Sequence, residues 1–345
     1  MALISMDGFD TYGSTFDYTL IEGRYGDSNL ASKLTTEAGR FGGNSVHINW
    51  DNSSYFGNKN MGITNDTIIG SFAFKRSSSV GGSSAVIFRL YDGSSTVGIN
   101  LRLNSSGYWQ LYRGNSLLET DIVASVALDV WYWIELKVKC HDTAGTYELR
   151  VDTVTRMSAT SVDTKAGSNA WHDGYRFFGG LAGGWSHYHL DDFFLMDGSG
   201  SFNNDFLGNQ RIVALRPDSA GDSTDWTPNT GANYAAVDET DPDGDTTYVE
   251  SGTPADKDLY DFDDISGMTD DIRGVQSVII CRETDTETFS IYMPMKSTTE
   301  NQGSSQVIGT QSYVSRLRVM EENPVTTNQW TIAEVNAAQF GIELL

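Results

Sequence analysis

The chain has 345 residues, 46 acidic and 23 basic, for a formal net charge of −23, with 35 glycines but only 6 prolines. Its ordinary apolar share and plentiful aromatics exclude disorder throughout, the length predicts two domains, and a surface this negative excludes nucleic acid as a partner. Cys140 and Cys281 lie far apart in apolar, strand-like runs, which excludes a disulfide scaffold and reads as two buried free thiols.

Taken in order, Met1–Tyr12 is short and apolar and turns at Asp7-Gly8. It lacks a basic and apolar leader, and no run approaches roughly 18 apolar residues, so neither a secretory signal nor membrane insertion is expected. A glycine turn at 39–43 leads into a strand at 45–50. Further strands are expected at Thr67–Arg76, Ser84–Tyr91, Val97–Leu103, Tyr108–Tyr112 and Leu117–Ile122.

The strongest signal is Leu128–Val154. Tyr132, Ile134, Leu136, Val138 and Cys140 fall on one face of a strand, and Trp131, Trp133, Glu135, Lys137 and Lys139 on the other. After a five-residue connection, Tyr147, Leu149 and Val151 resume the inward set. A polar stretch, 155–168, precedes strands at Tyr175–Phe178 and Tyr188–Met196. Short strands recurring about every 8–12 residues, with turn signals between them, predict an all-β sandwich or barrel.

Composition shifts at Gly198-Ser199-Gly200-Ser201, giving expected domains of 1–200 and 201–345. The second is acid-rich: 16 carboxylates against Lys257 alone lie between Asp218 and Asp271. Strands are expected at Gln210–Leu215, Thr246–Glu250, Val275–Arg282, Thr286–Pro294, Gln306–Ile308, Ser312–Met320 and 340–344, with one helical turn at 333–338 and no periodicity over 217–245.

The Asp7-Gly8-Phe9-Asp10 start, the glycine turn before Ser45–Asn49, the Trp131–Leu136 strand with its returning partner, and Leu190–Asp197 resemble the concanavalin A-like or laminin G-like jelly-roll family. That implies a lectin-like antiparallel β-sandwich followed by a smaller β-rich domain. Phe206-Leu207-Gly208, Arg211-Ile212, Leu215-Arg216-Pro217, Asp225–Pro228, Trp330-Thr331 and Val335–Ala337 resemble virion structural proteins of tailed bacteriophages. This second resemblance implies a non-enzymatic tail, baseplate or fibre component, folded in the host cytoplasm. Its partners would be other virion subunits in a homo-oligomer, and host-surface carbohydrate. A capsid decoration or cement protein is one alternative, and a polysaccharide-degrading enzyme is another.

Candidate site residues follow from residue type. Trp171, Tyr175 and Trp185 lie in a segment dense in aromatics and glycines, and flat rings stack on sugar faces; the same residues also suit a sandwich core or its rim. His187 and His189 share one strand face and can jointly ligate a metal, but no third ligand is identifiable. Glu239, Asp241, Asp243, Asp245 and Glu250 occupy Ca²⁺-ligand positions of an EF-hand-like loop, although Glu replaces the first Asp and Pro242 stiffens the middle. The E-x-D-x-x-E pattern of glucan-hydrolysing jelly rolls is broken: Glu135 is followed by Lys137 and Cys140 where acids belong. No nucleophile or phosphate-loop motif is present, so a non-enzyme is expected.

Overall fold

The computed structural model describes residues 2–14, 17–26, 34–48, 55–58, 61–93, 96–178, 180–181, 184–185 and 187–345, the side chains of Tyr18, 180–181 and 184–185 excepted. The protein is nearly all β and antiparallel, and it forms two compact units. The first comprises Met1–Phe9, Ser14–Tyr18 and Tyr25–Ile212; the second is Val213–Leu345 with Asp10–Gly13 and Thr19–Arg24. The division thus runs after Ile212, beyond the glycine-serine turn near 200.

Sixteen strands build the first unit. They are β1 (Leu3–Asp7), β2 (Leu34–Ala38), β3 (Asn44–Ile48), β4 (Tyr55–Phe56), β5 (Thr67–Arg76), β6 (Ser84–Asp92), β7 (Thr96–Asn104) and β8 (Trp109–Arg113). Then come β9 (Ser116–Thr120), β10 (Trp131–Lys139), β11 (Gly145–Val151), β12 (Val154–Val162), β13 (Gly174–Phe178), β14 (Gly180–Leu181), β15 (Gly184–Trp185) and β16 (Tyr188–Asp197). One sheet runs β12-β11-β10-β5-β16-β3-β2, with β1 also on β16; the other runs β4-β13-β6-β7-β8-β9. This is a lectin-like jelly-roll sandwich.

The period of two fixes the core. From the eight-stranded sheet, Phe72, Phe74, Ile134, Leu136, Tyr188 and Leu190 point inward; Phe88, Leu101, Trp109, Tyr175 and Phe177 answer from the other, all buried. Gly70 is a required close approach, since a Cβ there would lie 3.0 Å from the Phe88 ring. The Trp131–Lys139 strand pairs residue for residue with β5 and with β11, so the expected hairpin sits in the middle of the larger sheet.

Two local features escaped sequence reading. The polar stretch after residue 154 is strand β12, whose outward residues mask its pattern. Adjacent acids such as Asp191 and Asp192 would face opposite sides of a regular strand. Instead a β-bulge puts two residues of β16, Asp192 and Phe193, against Phe72 alone of β5, with Asp192 at φ +50°. Both carboxylates consequently address Arg40: Asp191 Oδ2 accepts the Arg40 N–H at 2.7 Å, and Asp192 lies 3.8 Å from its guanidinium.

In the second unit a seven-stranded sheet includes Pro217–Thr224, Lys257–Phe262 and Gln339–Leu344, beside a two-stranded ribbon of Val275–Cys281 and Val314–Met320. Its core groups Met295, Met320, Trp330, Val335 and Phe340, and separately Ile291, Met293, Ile308, Ile342 and Leu344. The short helix is Ile332–Asn336, started by a Thr331–Glu334 capping box. Gln210–Leu215, expected as a strand, joins no sheet; within it the Ile212 N–H donates to Asp192 Oδ1 at 2.6 Å. Cys140 and Cys281 are both free, one in each unit; Cys140 is buried, whereas Cys281 is only partly so. Among the described residues no helix is long and apolar enough to cross a membrane.

Candidate functional site

The alternation that sends Tyr175 and Phe177 into the core sends Arg176 and Phe178 to the opposite, outer face of the six-stranded sheet. Register then assembles a row across four adjacent strands. Arg176 on β13 stands opposite Arg89 on β6, Arg89 opposite Asn100 on β7, and Asn100 opposite Tyr112 on β8. One step along, Arg102 stands opposite Gln110, and Gln110 opposite Thr120. At the far edge Phe178 pairs with Tyr55.

These arginines are held by rings and amides. The Arg176 guanidinium lies 4.0 Å from the Tyr55 ring centroid, Arg89 lies 4.6 Å from Phe178, and Arg102 lies 3.9 Å from Tyr112. Arg89 Nε donates to Asn100 Oδ1, whose amide donates to the Gly114 carbonyl at 2.6 Å. Arg102 reaches Asn115 Oδ1 at 3.5 Å, the edge of hydrogen-bonding range. Arg102 and Arg176 are less than a tenth exposed, and Asn100 is fully buried. Among the described residues, no carboxylate lies within ion-pair distance of Arg89 or Arg102. Burial therefore pushes the Arg102 guanidinium below its ordinary pKa, the nearby Tyr112 opposes that shift, and Arg89 adds to it.

A desolvated cation without a counter-charge among the described residues is costly, and Arg102 is one, on a face it shares with Arg89 and Arg176 in a chain carrying −23. Planar guanidinium forks suit carboxylates and sulfates bidentately, and flat rings beside them suit sugar faces. Close packing continues at Gly98, next on the same strand face after Asn100, where a Cβ would lie 2.7 Å from the imidazole of buried His172.

The residues expected from sequence distribute differently. Tyr175 is a core residue, 3 % exposed and packed against Phe88, Phe177 and Phe193, because it falls on the inward parity of β13. Trp171 is half-buried, next in sequence to His172. Trp185 lies on β15, paired with Gly180, and its side chain is outside the described residues. The missed residues are Arg89, Asn100, Arg102, Tyr112 and Arg176. Their signal was an arginine or amide at alternate positions of three apolar strands, legible only once the strands are placed side by side.

The EF-hand-like loop does not form. Glu239 and Asp243 both engage the Thr247 hydroxyl, Asp245 turns to Arg282 at 2.9 Å and to the Tyr313 hydroxyl at 2.7 Å, and Glu250 pairs with Thr227 in a short ladder. No helix flanks the loop, and no three of its carboxylates converge. His189, in contrast, does meet further donors, Glu37 and His47, on the outer face of the eight-stranded sheet, whereas His187 precedes β16 and lies outside that trio.

No protein-family model matches the chain, and no curated protein matches it. Solved structures similar to it include the alginate lyase Aly36B, at 10 % identity and a TM-score of 0.42, covering 56 % of this chain and 96 % of that one. Another is endo-β-1,4-glucuronan lyase from the fungus Trichoderma reesei, at 12 % identity and a TM-score of 0.36, covering 47 % and 86 %. A third is carbohydrate binding module CBM66 from Bacillus subtilis, at 9 % identity and a TM-score of 0.33, covering 48 % and 92 %. At these identities the likeness concerns the fold. The expectation of a virion structural part is corrected: these similar structures are polysaccharide lyases and a carbohydrate binding module.

Proposed function

We propose that the first unit binds an acidic polysaccharide along the outer face of the six-stranded sheet. The carrying observation is the row Arg176–Arg89–Asn100–Tyr112 with Arg102 beside it, cationic, aromatic and free of carboxylates among the described residues of those strand faces. Four adjacent strands span about 14 Å, room for a short oligosaccharide rather than one sugar. Uronate carboxylates would take the partly exposed Arg89 fork, while Tyr55 and Tyr112 offer rings to sugar faces.

Affinity electrophoresis in gels containing alginate, with a neutral glucan as the contrast, tests this. Retardation is expected in alginate alone, and an Arg89→Met/Arg102→Met double variant should lose at least tenfold in affinity. Equal retardation in the neutral glucan, or a double variant that binds like the parent, overturns the reading.

One observation favours a second reading, cleavage by β-elimination. The Arg89–Asn100 pair that would neutralise a uronate carboxylate stands directly beside Tyr112. Tyr112, as its phenolate, would take the proton at C5; that electron pair forms the C4–C5 double bond as the C4–O4 bond breaks, and the leaving O4 takes the proton now on the Tyr112 hydroxyl. Ultraviolet absorbance of an unsaturated product, lost in Tyr112→Phe while alginate binding persists, is the expected sign. Binding without any such product restricts the unit to recognition.

A further inference from the structure

We propose that Glu37, His47 and His189 bind a divalent transition metal ion of the zinc class on the outer face of the eight-stranded sheet. Strand parity builds the site. β3 buries Val46 and Ile48 and turns His47 outward; β16 buries Tyr188 and Leu190 and turns His189 to the same side. Register sets His189 directly opposite His47, and His47 opposite Thr35 on β2, with Glu37 one step along. One donor atom from each of Glu37, His47 and His189 lies within 4.8 Å of the others, the one such trio among the described residues. Three of the chain's five histidines meet here, since the His187 ring lies 6.2 Å from that of His47.

The second observation is an unanswered demand for partners. His189 is 3 % exposed, and its Nδ1 is buried with no hydrogen-bond partner. His47 has Thr35 Oγ1 and Glu37 Oε1 each at 3.3 Å from Nδ1, while Nε2 is buried and unpartnered. Buried polar nitrogens are nearly always satisfied, and exceptions call for an explanation. A ring anchored through one nitrogen with the other left open is how metal-binding histidines are oriented.

The geometry also states what must move. The His47 and His189 rings are stacked, 4.4 Å apart and 9° from parallel. A metal lies in the plane of each imidazole that binds it, so one ring has to turn, and His47, at the surface side, is the one with room. Lys75 stands opposite His189, but its ammonium is held over the Trp131 ring at 4.9 Å. Its charge opposes a cation nearby. Two imidazoles and a carboxylate select a borderline metal over Ca²⁺ or Mg²⁺, which require oxygen donors.

The experiment is calorimetric titration of the chelator-treated full chain with Zn²⁺. One equivalent is expected to bind without competition from excess Ca²⁺. His47→Gln and Glu37→Gln, both at the surface, should each weaken binding at least tenfold, His141→Gln should leave it unchanged, and Lys75→Met should tighten it. X-ray absorption should report two imidazole nitrogens at about 2.0–2.1 Å. No binding, binding indifferent to His47 and Glu37, or an equal loss in His141→Gln overturns the site.

Discussion

The outer faces of the two sheets in the first unit share one parity rule and one polar, aromatic composition, yet they meet their electrostatic demands differently. Over one half of the eight-stranded face, buried acids are answered by the chain itself. Glu135 accepts the Leu207 and Gly208 N–H groups at 3.0 Å each, and Asp192 accepts that of Ile212 at 2.6 Å. Residues 201–212 therefore lie as a strap, with Phe206 under the Arg150 guanidinium at 3.9 Å. On the six-stranded face Arg89 and Arg102 receive rings and amides but, among the described residues, no carboxylate. Demand met internally marks structure, and demand left over marks a place for a ligand.

Breaking the internally satisfied face should give the largest effect. Glu135 is fully buried, and burial raises its carboxyl pKa against the opposing hydrogen bonds of the strap. Glu135→Leu removes two charge-assisted bonds and leaves two N–H groups to find partners, a loss of about 3–5 kcal/mol in denaturant unfolding. A loss under about 1 kcal/mol would mean the strap is held elsewhere.

His172, fully buried against Gly98 on the same face as the arginines, gives the next effect. Burial pulls its imidazole down to about 4, whereas the unfolded chain titrates near pH 6.5. Between those values the unfolded chain takes up a proton that the folded one refuses. Its contribution is therefore complete above about pH 6.5 and is lost as pH falls toward 4, on the order of 3 kcal/mol. Unfolding curves across that window should steepen in the parent and flatten in His172→Phe; parallel curves would refute a neutral buried imidazole.

The arginine face should respond in the opposite sense to Glu135. Arg102→Met removes a desolvated cation that lacks a counter-charge, together with its contact to Tyr112. The two effects oppose each other, and stability should change by no more than about 1 kcal/mol. A loss like that of Glu135→Leu would make Arg102 a structural residue.

Much of the sandwich was legible from strand period: Ile134, Leu136 and Val138 recur at every second position and are buried as expected, although Trp133 and Glu135 on the opposite face are buried as well. Strand β12 was not, since it is open on one side and rich in Ser and Thr. The arginine site was hidden for a different reason. Arg176, Arg89, Asn100 and Tyr112 come from four separate strands, and only inter-strand register makes them neighbours. Glycan candidates drawn from one continuous stretch instead took Tyr175, the wrong parity of the right strand. The metal trio shows the same limit, for His189 announced a ligand while Glu37 and His47, far back in the chain, gave no sign of it.

The smallest effect should come from the strap's other anchor. Lys137 Nζ reaches Asp205 Oδ1 at 3.0 Å, beside the same residues that Glu135 holds. The carboxylate side chain is 67 % exposed, so water competes for both charges. Hydrogen bonds from the Phe206 N–H and Lys137 lower the Asp205 pKa, opposed by partial burial. Exposed pairs of this kind contribute about 0.5 kcal/mol or less. Asp205→Asn keeps the shape and removes the charge, so its unfolding midpoint should stay close to the parent's and the residual difference should vanish at high salt. An effect as large as that of Glu135→Leu would show that charge at the rim, rather than buried hydrogen bonding beneath it, fastens the strap.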